Sequence, residues 1–293
     1  MYYSIAEFIE DAEQKGKSLS DLMIEQEMAQ NQVSFDEVWN AMDNNLKTME
    51  EAVKNSISDE GAFSPTGLTG GDALKLKKYR ENHRSLSGDT MLKSVQSAIG
   101  TNETNAAMGV ICATPTAGAS GTLPGVIFSI QDSLNLSREQ KVRFLFTAGL
   151  FGMVVANNAM IAGATGGCQA EVGSASAMAA AAAVEAASGT PQQSSEAFAI
   201  ALSNLLGLVC DPVAGLVELP CVKRNAIGSG NALIAADMAL AEIDNKIPAD
   251  EVVESMRRIG SGLPRELRET GLGGLAATQT GKRMKEEIFG HSS

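Results

Sequence analysis

Three cysteines of this sequence occupy positions suited to binding a metal through thiolate sulfur. They are Cys168, Cys210 and Cys221, and each stands near glycine or proline rather than within an apolar stripe. Glycine and proline commonly mark the ends of helices, and a helix N-terminus stabilises thiolate charge. Buried cysteines more often serve as inert small side chains, and no Cys-x-x-Cys pair occurs here. Spacing alone therefore leaves open whether these cysteines bind metal or pack in a core.

The number of thiolates limits the kind of metal centre. Structural zinc takes four ligands, usually at short local spacings, and the wide separation of these cysteines argues against it. A cubane cluster of four irons with three protein thiolates keeps one iron open, and an open iron can act as a Lewis acid. The remaining cysteine, Cys112, is interpreted as a plain buried thiol and is not placed among the ligands.

A segment rich in threonine, serine and glycine follows Cys112 and leads directly into an apolar helix. It reads Cys112-Ala-Thr-Pro-Thr-Ala-Gly-Ala-Ser-Gly-Thr-Leu-Pro124. The first backbone amides of a helix lack partners inside the helix and sit at the positive end of its dipole, so they suit a carboxylate or a phosphate. The segment is not a P-loop, because the Gly-Lys-Ser/Thr ending is missing. An ordinary capped turn remains the alternative.

Few side chains of this sequence could act as a general base. Both histidines, His83 and His291, are interpreted first as surface residues. Lys75 begins a basic run, and such a run is usually the solvated face of a helix. His83 and Lys75 are kept as candidates, and a base supplied by a partner chain is an equal alternative.

The composition is that of a globular protein whose core is built from small side chains. Hydrophobic residues make up 44% of the 293 residues but aromatic residues only 4%, which predicts closely approaching helices. The formal net charge of −12 repels phosphate backbones, so we expect no nucleic-acid partner. The strongest apolar run, Phe144 to Ala156, is shorter than the ~20 residues that cross a bilayer. The N-terminus has no signal-peptide pattern, so we expect a cytoplasmic protein away from membranes.

Helical periodicity dominates the chain. The first 58 residues are predicted to form helices, with a capping box at Ser34 and Glu37. Residues 59–72 are dense in glycine and proline and form a loop, either a linker or a segment that approaches a ligand closely. Further helices are predicted at Leu92 to Ile99, Thr122 to Leu134, Arg138 to Ala156, Ser174 to Ala187, Ser194 to Leu208, Asn225 to Ile243 and Asp250 to Ile259.

These elements predict an all-α fold. A multi-helix catalytic domain with glycine-rich interhelical loops is expected over residues 59–293, and a helical N-terminal extension over residues 1–58. Short strands are expected at most near Val110 to Cys112.

Five segments, in order, resemble the alpha chain of iron–sulfur-dependent L-serine dehydratases of the two-subunit type. The resemblance runs from about Gly67 to Gly281. Its most specific parts are Gly67-Leu-Thr-Gly-Gly-Asp72, Pro115-Thr-Ala-Gly-Ala-Ser-Gly121, Gly166-Gly-Cys-Gln-Ala-Glu-Val-Gly173, Cys210-Asp-Pro-Val-Ala-Gly-Leu-Val-Glu218 and Pro220-Cys-Val-Lys-Arg-Asn225.

The resemblance implies a lyase of amino-acid degradation and gluconeogenesis that converts L-serine to pyruvate and ammonia. Cys168, Cys210 and Cys221 would bind three irons of a [4Fe-4S] cluster, whose open iron would act on the leaving hydroxyl. The substrate carboxylate would lie on the loop formed by Thr114, Thr116, Ala117, Gly118, Ala119, Ser120 and Gly121. A beta chain with a Ser-His segment would be the partner in a heterodimer, and we expect a higher oligomer.

Other readings of the same residues stay open. A related iron–sulfur lyase, such as an L-cysteine desulfidase, would use the same cluster with sulfide as the leaving group. A non-catalytic iron–sulfur sensor would have every iron ligated, and a metal-free helical interaction subunit would have no cluster. Pyridoxal phosphate chemistry is not favoured, because no phosphate loop is paired with a suitable lysine. Some single-chain relatives end in a cysteine, whereas this sequence ends His291-Ser-Ser293.

Overall fold

The computed structural model describes residues 1–290, and helices make up almost all of the regular structure there. The α-helices in these residues are α1 (Ile5–Lys15), α2 (Leu19–Asn31), α3 (Phe35–Ser56), α4 (Asp72–Asn82), α5 (Asp89–Ala106), α6 (Thr122–Ile130), α7 (Arg138–Asn158), α8 (Gly163–Gly166), α9 (Ser174–Ala186), α10 (Pro191–Asn204), α11 (Cys221–Leu240), α12 (Ala249–Gly262) and α13 (Gln279–Phe289). The predicted all-α fold is confirmed.

Helix α9 lies at the centre of the molecule, with every residue from Ser174 to Val184 buried. Helices α6, α7, α10 and α11 pack around it. Small residues let these helices approach closely. A Cβ added to Gly152 of α7 would lie 2.6 Å from Cε of Met178 in α9, and a Cβ on Gly125 of α6 would lie 2.8 Å from Cβ of Ser229 in α11. The predicted close packing of helices is confirmed.

Helices α1 to α3 form the helical N-terminal segment, and side chains cap their first turns. Ser34 and Glu37 make the predicted capping box at the start of α3. Phe8 of α1 is fully buried, and its ring packs edge-on against Phe151 of α7 with the centroids 4.9 Å apart. These helices share the main hydrophobic core. The domain boundary at residue 58 stays a prediction.

The strongest apolar run of the sequence forms the buried part of α7. Val142, Phe146 and Leu150 recur at helical spacing along it and are all buried. Ser137 caps its first turn. No helix within residues 1–290 is long and apolar enough to cross a bilayer.

Residues 1–290 contain no β-strand, so the short strands for which the sequence left room near Val110 to Cys112 are not formed. This segment connects α5 to α6, and the side chain of Val110 is 77% exposed. The only β-like pairings in the described chain are isolated bridges, Phe63 with Gly70 and Cys210 with Arg268. A segment with β propensity forms a strand only when a second segment supplies hydrogen bonds, and none lies beside residues 110–112.

Candidate active site

The three cysteines come from separate parts of the chain and are all buried. Cys168 immediately precedes a π-helical turn, Gln169–Gly173, which continues into α9. Cys221 is the first residue of α11, and Cys210 lies in the connection between α10 and α11. The exposed fractions of Cys168, Cys210 and Cys221 are 3%, 2% and 6%. Helix α11 begins four residues before its predicted start at Asn225, which places Cys221 on its first turn.

The three buried thiols lie close enough to influence one another electrostatically. Burial is the largest cause that raises the pKa of Cys168 and of Cys221 to about 12, and it also raises the pKa of Cys210. Charge on Cys168 raises the pKa of both other thiols further. Arg224 acts in the opposite direction on Cys168 and Cys221. Such thiols stay neutral until a cation binds, and a metal ion would displace their protons.

Arg224 of α11 is fixed beside these thiols by two anchors. Its Nη2 lies 2.8 Å from Oδ1 of Asp211, and its Nη1 donates to the carbonyl of Val209 at 2.7 Å. The other carboxylate oxygen of Asp211 accepts the backbone N–H of Leu275 at 2.7 Å. The ion pair is largely buried, so the position of the guanidinium charge relative to the sulfurs is well defined.

The threonine-rich loop continues through a single turn of 3-10 helix, Ala117–Ala119, into α6. Asn225 of α11 fixes its far end. The Nδ2 of Asn225 donates to the carbonyl of Gly118 at 2.6 Å, and its Oδ1 accepts the backbone N–H of Gly121 at 3.0 Å. The amide of Gly121, expected to face an anion, is thus already paired. Gly121 has no room for a side chain, because a Cβ there would lie 2.1 Å from the carbonyl oxygen of Ala98.

Two hydroxyls of this loop have no hydrogen-bond partner among residues 1–290. They are Oγ1 of Thr114 and Oγ of Ser120, and both atoms are buried. Ser120 as a whole is completely enclosed. A buried hydroxyl without a partner is unfavourable, so these atoms are suited to a polar ligand.

Glu171 joins the loop to the thiols and was not assigned a role from the sequence. Its Oε1 accepts a hydrogen bond of 2.6 Å from Oγ1 of Thr116, and its Oε2 lies 3.9 Å from Sγ of Cys210. Burial raises the pKa of Glu171, while the bond from Thr116 lowers it. Its position three residues after Cys168, at a helix start, is the only local signal in the sequence that pointed to it.

Two glycines let the backbone approach Glu171 closely. A Cβ on Gly163 would lie 2.6 Å from Oε2 of Glu171 and 2.9 Å from Sγ of Cys210. A Cβ on Gly118 would lie 3.0 Å from Oε1 of Glu171. A larger residue at position 163 would crowd both the carboxylate and the thiol, and one at position 118 would press on the carboxylate.

A segment near the C-terminus crosses over Cys210 and brings a second carboxylate. The backbone N–H of Cys210 donates to the carbonyl of Leu267 at 2.8 Å, and the N–H of Glu269 donates to the carbonyl of Cys210 at 2.7 Å. Glu269 adopts a left-handed conformation with φ of 60°. Ligand atoms of Glu171, Cys210 and Glu269 all lie within 4.8 Å of one another. No local pattern in the sequence predicts that Glu269 lies here.

The glycine-rich loop of residues 59–71 binds Glu218, which lies shortly before Cys221. Hydroxyls of Ser64, Thr66 and Thr69 all donate to the Glu218 carboxylate, at 2.8 to 3.1 Å. The carboxylate is buried. This segment therefore holds the chain that leads into α11 through Glu218, and Gly70 and Gly71 pack against Phe63.

The two candidate bases lie on helix α4 and at its C-terminal cap, and each has a partner of its own. Lys75 is exposed, and its Nζ is 2.8 Å from Oδ1 of Asp72. His83 ends the helix with its ring stacked on Tyr79, the centroids 4.7 Å apart. No hydrogen bond or ion pair within residues 1–290 links either side chain to the cysteine cluster. His291 lies outside the described residues.

The fourth cysteine, Cys112, is separate from this cluster. It is half-buried, and its Sγ donates to the carbonyl of Asn45 at 3.4 Å. Burial raises the pKa of its thiol. Its contacts agree with a packing role beside α3.

Comparison with known protein families shows the family to which the sequence belongs. The family model described as "Serine dehydratase alpha chain" matches residues 14–276. The chain belongs to this family. The match begins within α1 and includes α2 and α3, which lay outside the sequence resemblance that starts near Gly67.

Curated relatives of this serine dehydratase alpha family member cover nearly its whole length. A "Probable L-serine dehydratase, alpha chain" of Bacillus subtilis is 59% identical, over 99% of this chain and 96% of its own. The "L-serine dehydratase, alpha chain" of Peptoniphilus asaccharolyticus is 39% identical, over 99% of both chains. "L-serine dehydratase 1" of Escherichia coli is longer: the match is 35% identical over 94% of this chain but 61% of that protein.

Proposed function

We propose that this chain is the alpha subunit of an L-serine dehydratase, a lyase that converts L-serine to pyruvate and ammonia. The observation that carries the proposal is that Glu171 joins a buried cysteine cluster to a loop with unpartnered hydroxyls, inside a serine dehydratase alpha family fold. A β-elimination needs a base that removes the α proton and, in addition, a group that assists the leaving hydroxyl and a second that fixes the carboxylate. The cluster and the loop are suited to the last two of these tasks.

The donor set fits an iron–sulfur cluster. Cys168, Cys210 and Cys221 supply three buried thiols, which is the ligand type that binds iron–sulfur clusters. A Cβ on Gly163 would lie 2.9 Å from Sγ of Cys210, so glycine at this position lets the backbone pass close to the thiol. When bound, a [4Fe-4S] cluster with three protein ligands supplies a Lewis-acidic iron for the β-hydroxyl. Arg224 favours the thiolate forms that bind iron.

The loop positions the substrate through its hydroxyl groups. The unpartnered hydroxyls of Thr114 and Ser120 bind the carboxylate of L-serine, and Asn225 holds the loop in register with α11. Buried donors on a fixed backbone hold the substrate in one orientation, which lowers the entropic part of the barrier. After loss of water, the aminoacrylate product tautomerises to an imine and hydrolyses to pyruvate and ammonia.

The alpha chain acts with a beta chain in this proposal. The names of the two near full-length relatives include the words alpha chain, whereas the Escherichia coli relative extends well beyond the matched part. We propose that a separate beta chain supplies the remaining part, in a cytoplasmic heterodimer that forms a higher oligomer. Residues 1–58 are proposed as the helical extension and residues 59–293 as the catalytic domain.

The test is anaerobic iron and sulfide analysis of the chain reconstituted with its beta chain, coupled to measurement of pyruvate from L-serine. We expect cluster-dependent pyruvate that disappears in Cys168→Ala, Cys210→Ala and Cys221→Ala. Cys112→Ala is the matched control and retains both iron and activity. No bound iron under strictly anaerobic conditions would refute the cluster. An intact cluster without serine turnover would favour a desulfidase or a sensor instead.

A further inference from the structure

We propose that Glu171 and Glu269 together bind the α-ammonium group of the substrate and thereby restrict the site to amino acids. The inference rests on the proposed function and deepens it. It names the residues that distinguish an amino acid from a hydroxy acid with the same carboxylate and the same leaving group.

Glu171 lies between the loop proposed to bind the substrate carboxylate and the thiols proposed to bind the cluster. One of its oxygens accepts from Thr116 in the substrate loop, and the other lies 3.9 Å from Sγ of Cys210. The α-carbon of serine carries the carboxylate, the hydroxymethyl group and the ammonium as its three polar branches. With the carboxylate on the loop and the hydroxyl toward the thiols, the ammonium lies one bond from the α-carbon, near the carboxylate that joins the two.

Glu269 adds a second carboxylate, which accepts no hydrogen bond from any group within residues 1–290. Its backbone is pinned by the hydrogen bond to the carbonyl of Cys210, in the left-handed conformation that is uncommon for residues other than glycine. No hydrogen bond or ion pair to its carboxylate exists among residues 1–290, although an oxygen of Glu269 lies within 4.8 Å of Glu171.

The carboxylates of Glu171 and Glu269 have no cationic partner within residues 1–290, so a bound ligand would have to supply the positive charge. Neither Glu171 nor Glu269 forms an ion pair with a lysine or arginine of the described chain, and each lies against thiols that become negative on binding metal. Arg224, the arginine beside the thiols, is paired with Asp211. An ammonium group, with three N–H donors, matches two convergent carboxylates in charge and in hydrogen bonding.

The test compares two competitive inhibitors of the reconstituted holoenzyme. L-Alanine keeps the ammonium and the carboxylate, whereas 3-hydroxypropionate keeps the carboxylate and the hydroxyl but lacks the ammonium. The variants are Glu171→Gln, which retains an acceptor for Thr116, and Glu269→Gln. Glu266→Gln, on the exposed surface of the same segment, is the control. Inhibition constants do not depend on the active fraction, so partial misfolding of a variant does not obscure the result.

We expect each site variant to raise the inhibition constant of L-alanine and the KM of L-serine by about 10- to 100-fold. The inhibition constant of 3-hydroxypropionate and the iron content should stay within about twofold of the wild type, as should every value for Glu266→Gln.

Equal effects on both inhibitors, or on neither, would overturn the inference while an active wild type leaves the proposed function standing. A fall in kcat alone would make Glu171 a proton-transfer residue, and loss of iron would make either residue part of the metal site. Both results also overturn it. An iron-loaded wild type that releases no pyruvate refutes the proposed function itself.

Discussion

The side-chain amide of Asn225 donates a hydrogen bond of 2.6 Å to the carbonyl of Gly118. Asn225 is fully buried, and the same Nδ2 also donates to the carbonyl of Cys221 at 3.0 Å. One side chain therefore holds the threonine-rich loop against the first turn of α11, which carries Cys221. Cluster and loop are fixed relative to each other through this contact.

Asn225→Asp should destabilise the protein by about 3 kcal/mol, because it replaces two buried donors with a carboxylate oxygen facing carbonyls. Urea unfolding at neutral pH measures the change. The KM for L-serine should rise in the folded fraction, since the loop loses its anchor. Asn40→Asp, exposed on α3, is the control and should lie within about 0.5 kcal/mol of the wild type. Equal stability of the two variants would contradict the anchoring role.

Gly121→Ala should lower the free energy of unfolding by about 3 kcal/mol or prevent folding, because the new Cβ would lie 2.1 Å from the carbonyl oxygen of Ala98 and 2.3 Å from Oδ1 of Asn102. Gly262→Ala introduces the same methyl group at the end of α12, where nothing lies within 4 Å. That variant should be neutral or slightly more stable, because alanine favours a helix over glycine. Thermal unfolding of the pair separates a steric effect from a backbone effect, and similar melting temperatures would argue against the close approach.

Glu218→Ala should free the loop of residues 59–71 from the chain that leads into α11. Three hydroxyls then lose their common acceptor, and the expected destabilisation is about 2 kcal/mol. Limited proteolysis should cleave the loop faster than in the wild type, with the new fragments ending within residues 59–71. Glu60→Ala, exposed in the same loop, is the matched control and should leave the cleavage rate unchanged. A cleavage pattern insensitive to Glu218→Ala would show that the loop is held by other contacts.

The pH dependence of stability should change in Glu185→Gln. Burial raises the pKa of Glu185 above its ordinary 4.5, although Thr147 and Ser20 donate hydrogen bonds to it. The folded state therefore holds this proton more tightly than the unfolded state. Stability from the group is full below pH 4.5 and falls as pH rises through the raised pKa. The variant should gain stability relative to the wild type over that range, by at most about 1.4 kcal/mol per pH unit.

Glu254→Gln is the control for that experiment, because hydrogen bonds from Arg257 and Arg258 lower the pKa of Glu254 to about 2. The stability that Glu254 contributes is present above its ordinary pKa and is lost only as pH falls toward 2. Between pH 5 and 7 the difference in unfolding free energy between Glu254→Gln and the wild type should therefore be constant. Urea unfolding at several pH values measures both variants. A flat difference for Glu185→Gln as well would contradict the burial of that carboxylate.

Local signals in the sequence were sufficient for most of the helices. The hydroxyl and glutamate pair at Ser34 and Glu37, and the apolar spacing along α7, act within one or two turns, so neighbouring residues carry the information. The short strand for which the sequence left room near Val110 is absent within residues 1–290, because strand formation depends on a partner segment that local propensity does not reveal.

The sequence by itself determined the all-α fold and the residues with chemical potential, namely three cysteines at glycine or proline positions and a threonine-rich loop before an apolar helix. Only the tertiary structure decided which distant residues meet. Glu269 reaches Cys210 through backbone hydrogen bonds, and Glu171 contacts both Thr116 and Cys210. The reason is physical: helix formation is governed by contacts a few residues apart, whereas a site depends on how helices pack, and packing is set by side chains distant in the chain.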